Sequence, residues 1–227
     1  FPDERVTKIL HGIPADYLQM QPDHPDVLSS FGLDDADEVV LCPTRLDPHK
    51  GLEILVDAAG LVKKQFPQRR LVFVVAGAGT ADYRASLELR ATGLGVGEVM
   101  RFGMQGKALT LQQMPTLYRR AALCVVPSLR EGFGQVLLEA AAFKKPIIAS
   151  NTGGIPEVVL AGKTGLLFNC HEPEDLATQI CRLLEDERLA ESLGQAALTR
   201  ARLEFAAERM ARDHLHLYKK LCRISIK

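Results

Sequence analysis

Two glutamates in the second half of the chain, Glu131 and Glu139, are separated by seven residues in the stretch EGFGQVLLE. An ionised carboxylate accepts hydrogen bonds at both oxygens, so it suits neighbouring sugar hydroxyls. At about 3.6 residues per turn, the two side chains would not share one face of the helix that we expect to begin at Gln135. We therefore expect them to reach one pocket from different elements. On residue type alone, a solvated loop residue and a surface helix residue remain the ordinary alternative.

A second group of chemistry-bearing residues lies in the loop 44–51, TRLDPHKG, which contains Arg45 and Lys50. A guanidinium fork and an ammonium neutralise phosphate charge, and they would stabilise a departing diphosphate. Taken alone, an arginine and a lysine in a loop would be ordinary solvated charges. The glutamate motif downstream makes a phosphate-binding role the alternative to weigh against that.

Both groups follow short apolar runs, at residues 39–43 (VVLCP) and 122–126 (ALCVV). Such runs are typical of strands that are buried on both faces of a parallel sheet. A loop that leaves a parallel strand and opens a helix is where α/β sheets bind ligands, because free backbone N–H groups and the helix dipole favour an anion. The two loops are therefore the predicted binding region.

The alternation of strands and helices from residue 39 to residue 168 predicts an α/β fold, with a Rossmann-like, doubly wound parallel sheet and a C-terminal helical segment. The other expected strands are residues 6–10, 71–76, 99–102, 145–149 and 163–168. The expected helices are residues 26–31, the segments ending at residues 65 and 94, and residues 109–120, 135–143, 155–160, 174–186, 190–202 and 206–221.

The glutamate motif carries a resemblance to a known family. The pattern E-G-F-G-x-x-x-x-E, preceded by Pro-Ser and followed by PIIASNTGGIPE, resembles the donor-binding motif of retaining glycosyltransferases of the GT-B type, in the family called group 1. The loop with Arg45 and Lys50 is similar to the G-R-x-x-x-x-K-G segment of this family, although Thr44 replaces the first glycine. In the A-x-G-x-P segment of this family, Lys144 takes the place of the helix-ending glycine, at a position that tolerates positive φ. The resemblance implies one half of a GT-B fold.

The resemblance also implies a donor site for a nucleoside diphosphate-sugar, with no cofactor and no metal ion. It implies retaining, front-face hexosyl transfer, in which Glu131 stabilises positive charge on the sugar and the departing phosphate assists the acceptor hydroxyl. Glu131 as a covalent nucleophile is the alternative. The implied site residues are Arg45 and Lys50 at the diphosphate, Glu131 and the backbone of Gly132, Phe133 and Gly134 at the donor sugar, Gln135 near the phosphates, Glu139 at the ribose hydroxyls, and Gly103 and Met104 at the nucleobase.

Enzymes of this type have two Rossmann-like domains, and the resemblance covers only the second. We expect residues 1–227 to form one nucleotide-sugar-binding domain, with residues 1–5 as the linker from a missing N-terminal domain and residues 205–222 as the closing helix. The missing domain would bind the acceptor, which is a glycan, a lipid or a small molecule. The isolated domain is expected to be inactive. His11 replaces the asparagine of the family's I-x-N-G-V-D segment, and we expect it to have a structural role in that turn.

Three other functions remain open. A GT-B-type nucleotide-sugar epimerase would share the architecture, although the E-G-F-G loop is not expected there. An NAD-dependent oxidoreductase would share the sheet, but Asp82 stands where the dinucleotide fingerprint that begins at Gly77 needs its third glycine. A non-catalytic module would bind the sugar nucleotide without transfer. Residues 35–37 spell D-x-D, but they precede a strand, and we do not expect them to bind a metal.

The composition argues against several other classes. The chain has 28 basic and 28 acidic residues, so no nucleic-acid surface is expected. No apolar run approaches the roughly 18–20 residues that span a bilayer. The five cysteines are widely spaced and odd in number, which favours free thiols in a cytoplasmic protein, where any membrane attachment would come from the missing domain. Because the chain begins without Met, we expect a fragment of a longer protein.

Overall fold

The computed structural model describes residues 6–14, 17, 24–103 and 108–222. The described residues form a six-stranded sheet in the order β3-β2-β1-β4-β5-β6, and every neighbouring pair of strands is parallel. The strands are β1 (Glu38–Cys42), β2 (Leu71–Val75), β3 (Met100–Phe102), β4 (Ala121–Val126), β5 (Ile147–Ser150) and β6 (Leu166–Phe168). The helices are α1 (Pro25–Ser30), α2 (Leu52–Gln65), α3 (Ala81–Gly93), α4 (Met114–Arg120), α5 (Gln135–Ala142), α6 (Ile155–Val158), α7 (Pro173–Glu185), α8 (Glu187–Glu204) and α9 (Ala207–Cys222).

The strand order places a topological switch point between β1 and β4. From β1 the chain adds β2 and then β3 on one side, and it crosses back to build β4, β5 and β6 on the other side. Loops that leave β1 and β4 at their carboxyl ends therefore diverge, and a crevice opens between them. The predicted Rossmann-like, doubly wound sheet is confirmed.

Both faces of the sheet are buried, as the continuous apolar runs predicted. In β1, Val40 and Cys42 belong to one core with residues of α2, α3 and α7. Val39 and Leu41 point to the other core, which includes residues of α1, α4 and α5. All four side chains are fully buried. Because each fully buried aliphatic side chain contributes about 1.5–3 kcal/mol, the central strands hold the crevice rigidly.

The expected strand at residues 6–10 is not formed. These residues have no regular secondary structure, and Val6 is 60% exposed. The amino-terminal backbone first pairs at Ile13. Its N–H donates to Phe205 O at 2.7 Å, and its carbonyl accepts from Ala207 N–H at 3.1 Å. The strand prediction was wrong because the segment has no neighbouring strand, and a β propensity without a partner leaves the backbone unpaired. The expected linker, residues 1–5, lies outside the described residues.

Helix α4 is shorter than expected, since it begins at Met114 rather than at residue 109. Thr110 and Gln113 form a turn before it: Thr110 N–H donates to Gln113 Oε1 at 3.0 Å, and Gln113 N–H donates to Thr110 O at 3.1 Å. Pro115 stands in the first turn of the helix, where its missing N–H costs nothing. The other helices and strands overlap the expected ranges, with bounds that differ by a few residues.

Lys144 follows α5 with a φ of 56°, so the expected left-handed position is present and a lysine occupies it. The cysteines are also as expected. All five are free, and Cys42 and Cys124 lie buried in the two central strands. Burial raises the pKa of the Cys42 thiol to about 12, which makes it a packing residue rather than a nucleophile.

Candidate functional site

The centre of the site is an ion pair across the switch point. Lys50 Nζ, from the loop after β1, lies 2.7 Å from Glu131 Oε2, in the loop after β4. The side chains are 19% and 15% exposed, so both are largely withdrawn from water while still reaching the surface. Ser128 Oγ donates to the same carboxylate oxygen at 3.2 Å. Two of the residues that the sequence predicted separately are therefore in direct contact.

Close packing of the two loops positions Lys50. A short 3₁₀ helix, Pro48–Lys50, carries it, and Asp47 caps this helix by accepting the His49 N–H at 2.8 Å. Gly51 follows with a φ of 63°, and a Cβ at this position would lie 2.1 Å from Pro127 O. Only glycine permits this approach, because it lacks a Cβ and tolerates positive φ. The loop after β1 is thus pressed against the loop after β4.

The turn after β5 holds the Glu131 loop in place. Gly154 N–H donates to Glu131 O at 3.0 Å. A Cβ on Gly153 would lie 2.0 Å from Glu131 O, and a Cβ on Gly154 would lie 2.0 Å from Gly132 O. The Gly-Gly pair of the sequence motif is therefore required by backbone contact with the Glu131 loop itself.

The loop presents an open backbone at its centre. A Cβ on Gly132 would meet nothing within 4 Å. The Phe133 side chain turns toward the protein, with ring centroids 5.1 Å from His11 and 5.9 Å from Phe205. Gly134 has a φ of 84° and begins α5 without any side-chain cap, so the first N–H groups of this helix have no side-chain acceptor. Gln135 is the exposed first residue of α5.

Arg45 lies on the same loop as Lys50, and its side chain is exposed. Within the described residues its guanidinium makes no hydrogen bond and no ion pair. Its backbone packs against the turn after β2, where a Cβ on Gly77 would lie 2.5 Å from Arg45 Cα. The turn at Gly77 therefore forms a wall beside the loop that carries Arg45 and Lys50.

Gly103 lies at the carboxyl end of β3 and is buried. Its N–H donates to Val75 O at 2.8 Å, and its carbonyl accepts from Arg84 Nη1 at 2.7 Å. A Cβ there would lie 2.4 Å from Gly77 O. The other residue expected at the nucleobase, Met104, lies outside the described residues.

Glu139 has partners that the sequence analysis missed. Its Oε2 accepts a hydrogen bond from Tyr118 Oη at 2.9 Å and another from Tyr17 Oη at 3.1 Å. Burial raises the pKa of the Glu139 carboxyl above its ordinary value, although the two tyrosine hydroxyls lower it. Glu131 and Glu139 thus have different hydrogen-bond partners. No sequence signal pointed to the tyrosines, which lie 21 and 122 positions from Glu139. Ser128, by contrast, was visible as the serine of the Pro-Ser pair.

The D-x-D sequence at residues 35–37 has a structural role. Asp37 Oδ1 accepts from Arg70 Nη2 at 3.0 Å, and Asp37 Oδ2 accepts the Asp34 N–H at 2.9 Å. These bonds close the turn before β1. In the described part of the chain, no group of three or more His, Cys, Asp or Glu side chains is arranged to hold a metal ion. Over the same residues, no helix combines the length and hydropathy needed to cross a membrane.

Comparison with known proteins agrees with this fold. The chain matches the family described as "Glycosyl transferases group 1" over residues 25–200. The protein therefore belongs to the group 1 glycosyltransferase family, and its fold is that of GT-B glycosyltransferases.

One curated relative is the D-inositol 3-phosphate glycosyltransferase of Nocardioides sp., which is 31% identical over 95% of this chain and 48% of its own. The sucrose-phosphate synthase from Thermosynechococcus elongatus has a TM-score of 0.79 at 31% identity, over 96% of this chain and 53% of its own. An Anabaena protein solved in complex with UDP and glucose has a TM-score of 0.81 over 96% of this chain and 57% of its own, and its 23% identity shows the fold alone. The chain spans about half the length of the curated relatives it matches.

Proposed function

We propose that this chain is the donor-binding half of a retaining glycosyltransferase, which moves a sugar from a nucleoside diphosphate-sugar to an acceptor hydroxyl. The observation that carries the proposal is the contact between Lys50 and Glu131 at the switch point. A cation for the leaving diphosphate and an anion for the sugar that becomes positive stand side by side there. Charges placed in advance, where transition-state charge develops, are usually the largest source of electrostatic catalysis.

The diphosphate would lie over the loop after β1. An ammonium has three donors, so Lys50 retains N–H groups for a phosphate while it contacts Glu131. The exposed guanidinium of Arg45 supplies a fork that fits two phosphate oxygens. The uncapped start of α5 at Gln135 adds backbone N–H groups and the positive end of the helix dipole. These groups neutralise the diphosphate, and we propose that no metal ion and no cofactor take part.

The sugar would lie against the open backbone of Gly132, Phe133 and Gly134, beside the Glu131 carboxylate. In the proposed step, the bond between the anomeric carbon and the diphosphate oxygen breaks first. The acceptor oxygen then bonds to the same face of that carbon, and its proton passes to the departing phosphate oxygen. Glu131 stabilises the positive charge on the sugar. A covalent intermediate on Glu131 is the less favoured alternative, because Lys50 already contacts one of the two oxygens of the Glu131 carboxylate.

The nucleoside would extend from the diphosphate toward the ends of β2 and β3. We propose that Glu139 bonds the ribose hydroxyls and that the backbone at Gly103 and Met104 contacts the base. The named relative supports D-inositol 3-phosphate as one candidate acceptor, among glycans, lipids and other small molecules.

We propose that residues 1–227 form one domain and that an N-terminal Rossmann-like domain completes the enzyme. The relatives are about twice as long as this chain, which supports a second half. Helix α9 has no buried residue, and the large apolar side chains Leu215, Tyr218 and Leu221 are 46%, 57% and 69% exposed along it. This stripe would pack on the second domain. The unpaired cysteines further support a cytoplasmic location.

A thermal-shift and calorimetry panel on this domain tests donor binding. The panel contains UDP, GDP, ADP and their glucose or mannose conjugates, each with and without EDTA, and NAD as a control. A ligand at about 100 times its dissociation constant adds about 2.7 kcal/mol of stability. We expect one nucleoside diphosphate to stabilise the domain equally with and without EDTA. Stabilisation only by NAD, or only with a divalent metal, would remove the proposal as stated.

Transfer is tested in the full-length enzyme with Glu131→Gln, which keeps the size of the side chain and removes its charge. We expect turnover to fall by about 10²–10³-fold, in the range for loss of one preorganised electrostatic group. Product analysis by NMR separates retaining transfer from epimerisation, because an epimerase releases no glycosylated acceptor. Donor binding without any transfer by the full-length enzyme would favour the non-catalytic module.

A further inference from the structure

Glu139 lies at the centre of a small polar network inside an apolar wall. Tyr118 is fully buried, and its ring stacks on Phe143 with centroids 5.5 Å apart and planes 7° apart. Tyr17 is 5% exposed and meets the same Phe143 ring edge-on at 6.1 Å. One phenylalanine therefore orients both tyrosine rings, and both hydroxyls end at the Glu139 carboxylate.

The two hydroxyls donate to the same oxygen. Tyr118 Oη and Tyr17 Oη both bond to Glu139 Oε2, at 2.9 and 3.1 Å. Burial raises the pKa of both phenols, so they remain protonated donors through the neutral range. Two hydrogen bonds to the same oxygen fix the rotation of the Glu139 carboxylate about its Cγ–Cδ bond. The other oxygen, Oε1, is then the acceptor left for a ligand.

We propose that Tyr17 and Tyr118 are positioning residues for donor binding, which hold Oε2 so that Oε1 of Glu139 receives the vicinal hydroxyls of the donor ribose. Neither tyrosine touches the donor in this arrangement, since each acts through Glu139. The inference rests on the proposed function, because it assumes that the ligand is a ribonucleoside diphosphate. It adds the reason that a glutamate in a mostly apolar surrounding is held in one orientation.

Tyr17 extends the network to a distant part of the chain. It lies 122 positions before Glu139, in the segment that precedes α1. The same segment is tied to the end of the chain, where Ile13 pairs with Phe205 and Ala207. Ribose binding therefore depends on how the amino-terminal segment sits against the domain, and a displaced segment would release one of the two bonds on Oε2.

The test compares ribose with 2′-deoxyribose ligands. Calorimetry gives the dissociation constants of UDP, GDP, ADP and their 2′-deoxy forms for the wild type, Tyr17→Phe, Tyr118→Phe and Glu139→Gln. Tyr218→Phe, an exposed tyrosine on α9, is the matched control. We expect the wild type to prefer the ribose form of the nucleotide it binds. Each of the first two variants should weaken that form about 5-fold, as for one lost hydrogen bond, and leave the deoxy form unchanged.

Equal weakening of the ribose and deoxy forms would overturn the inference, because a merely structural tyrosine affects both. An unchanged ribose preference in both tyrosine variants would overturn it as well. Should Tyr118→Phe fail to fold, Tyr17→Phe carries the same test. The wild type alone reports on the proposed function: if it binds none of the three nucleoside diphosphates, that function and this inference are removed together. Binding without a ribose preference leaves the donor site and removes only the inference.

Discussion

Lys50 and Glu131 meet at 2.7 Å, although 81 positions separate them in the chain. Their loops leave adjacent central strands, and Gly51 lets the first loop approach the backbone of the second at Pro127. The ion pair is therefore a product of the switch point of the sheet. Its two charges have the signs that a leaving diphosphate and a developing sugar cation require.

The first prediction concerns the cation of this pair. Under the proposed function, Lys50→Ala would remove a charge-assisted hydrogen bond to the diphosphate, and such a bond is worth about 1.5–3 kcal/mol. Affinity for the preferred nucleoside diphosphate should fall about 10–100-fold, measured by calorimetry. Binding of the corresponding nucleoside, which has no phosphate, should stay the same. Lys64→Ala, at an exposed position near the end of α2, is the control. Equal losses for the nucleoside and the diphosphate would place Lys50 outside the phosphate site.

The second prediction separates two glycines that lie close together. Gly154→Ala places a methyl group 2.0 Å from Gly132 O, so the free energy of unfolding should fall by about 1–3 kcal/mol in urea titrations. Gly132→Ala meets nothing, so stability should change by less than about 0.5 kcal/mol. Donor affinity should nevertheless fall, because the sugar needs that space beside the backbone. Unchanged donor affinity in Gly132→Ala would show that the sugar does not approach this residue.

The third prediction concerns the pH dependence of stability. Burial raises the pKa of folded Glu139 above its ordinary value of 4.5, so the folded protein holds this proton more tightly than the unfolded chain. The stability that Glu139 contributes is complete below about pH 4.5, and it is lost as the pH rises through the raised folded pKa. The glutamine in Glu139→Gln cannot ionise, so this variant does not lose that stability as the pH rises. Its melting temperature should exceed that of the wild type at pH 7, by a margin that shrinks toward pH 4.5.

Differential scanning fluorimetry across this pH range measures the margin, and Glu191→Gln, an exposed site on α8, is the control. A margin that grows as the pH falls would contradict the raised pKa. The same variant should lose ribose preference, so this glutamate would cost stability at neutral pH in exchange for binding.

The fourth prediction concerns Lys144, which follows α5 with a φ of 56°. A left-handed conformation costs a residue with a Cβ about 1–2 kcal/mol, whereas glycine adopts it freely and loses more chain entropy on folding. Lys144→Gly should therefore raise the free energy of unfolding by about 0.5–1 kcal/mol in urea. Donor affinity should not change, because Lys144 lies at the end of α5 that is opposite the Glu131 loop. Lys64→Gly, within α2, should instead destabilise by up to about 1 kcal/mol. A loss of stability in Lys144→Gly would mean that contacts of the lysine side chain outweigh the strain.

Local sequence patterns were sufficient for most of the fold. The continuous apolar runs of β1 and β4 predicted strands buried on both faces, because only such strands carry no polar alternation. The prediction failed at residues 6–10, where an apolar stretch has no neighbouring strand. The helix expected from residue 109 also began too early, because the Thr110–Gln113 turn comes first and α4 begins at Met114. Strand pairing depends on neighbours that a local window does not contain, whereas the Thr110–Gln113 turn is local and its Thr-x-x-Gln spacing was readable in the sequence.

The sequence by itself determined the strand–helix alternation and the spacing of Arg45, Lys50, Glu131 and Glu139, because these are properties of short segments. Only the tertiary structure decided which of them touch. It paired Lys50 with Glu131, and it placed Tyr17 and Tyr118 on Glu139. Contacts across 81 and 122 positions follow from strand order and helix packing, and one sequence carries no local sign of them.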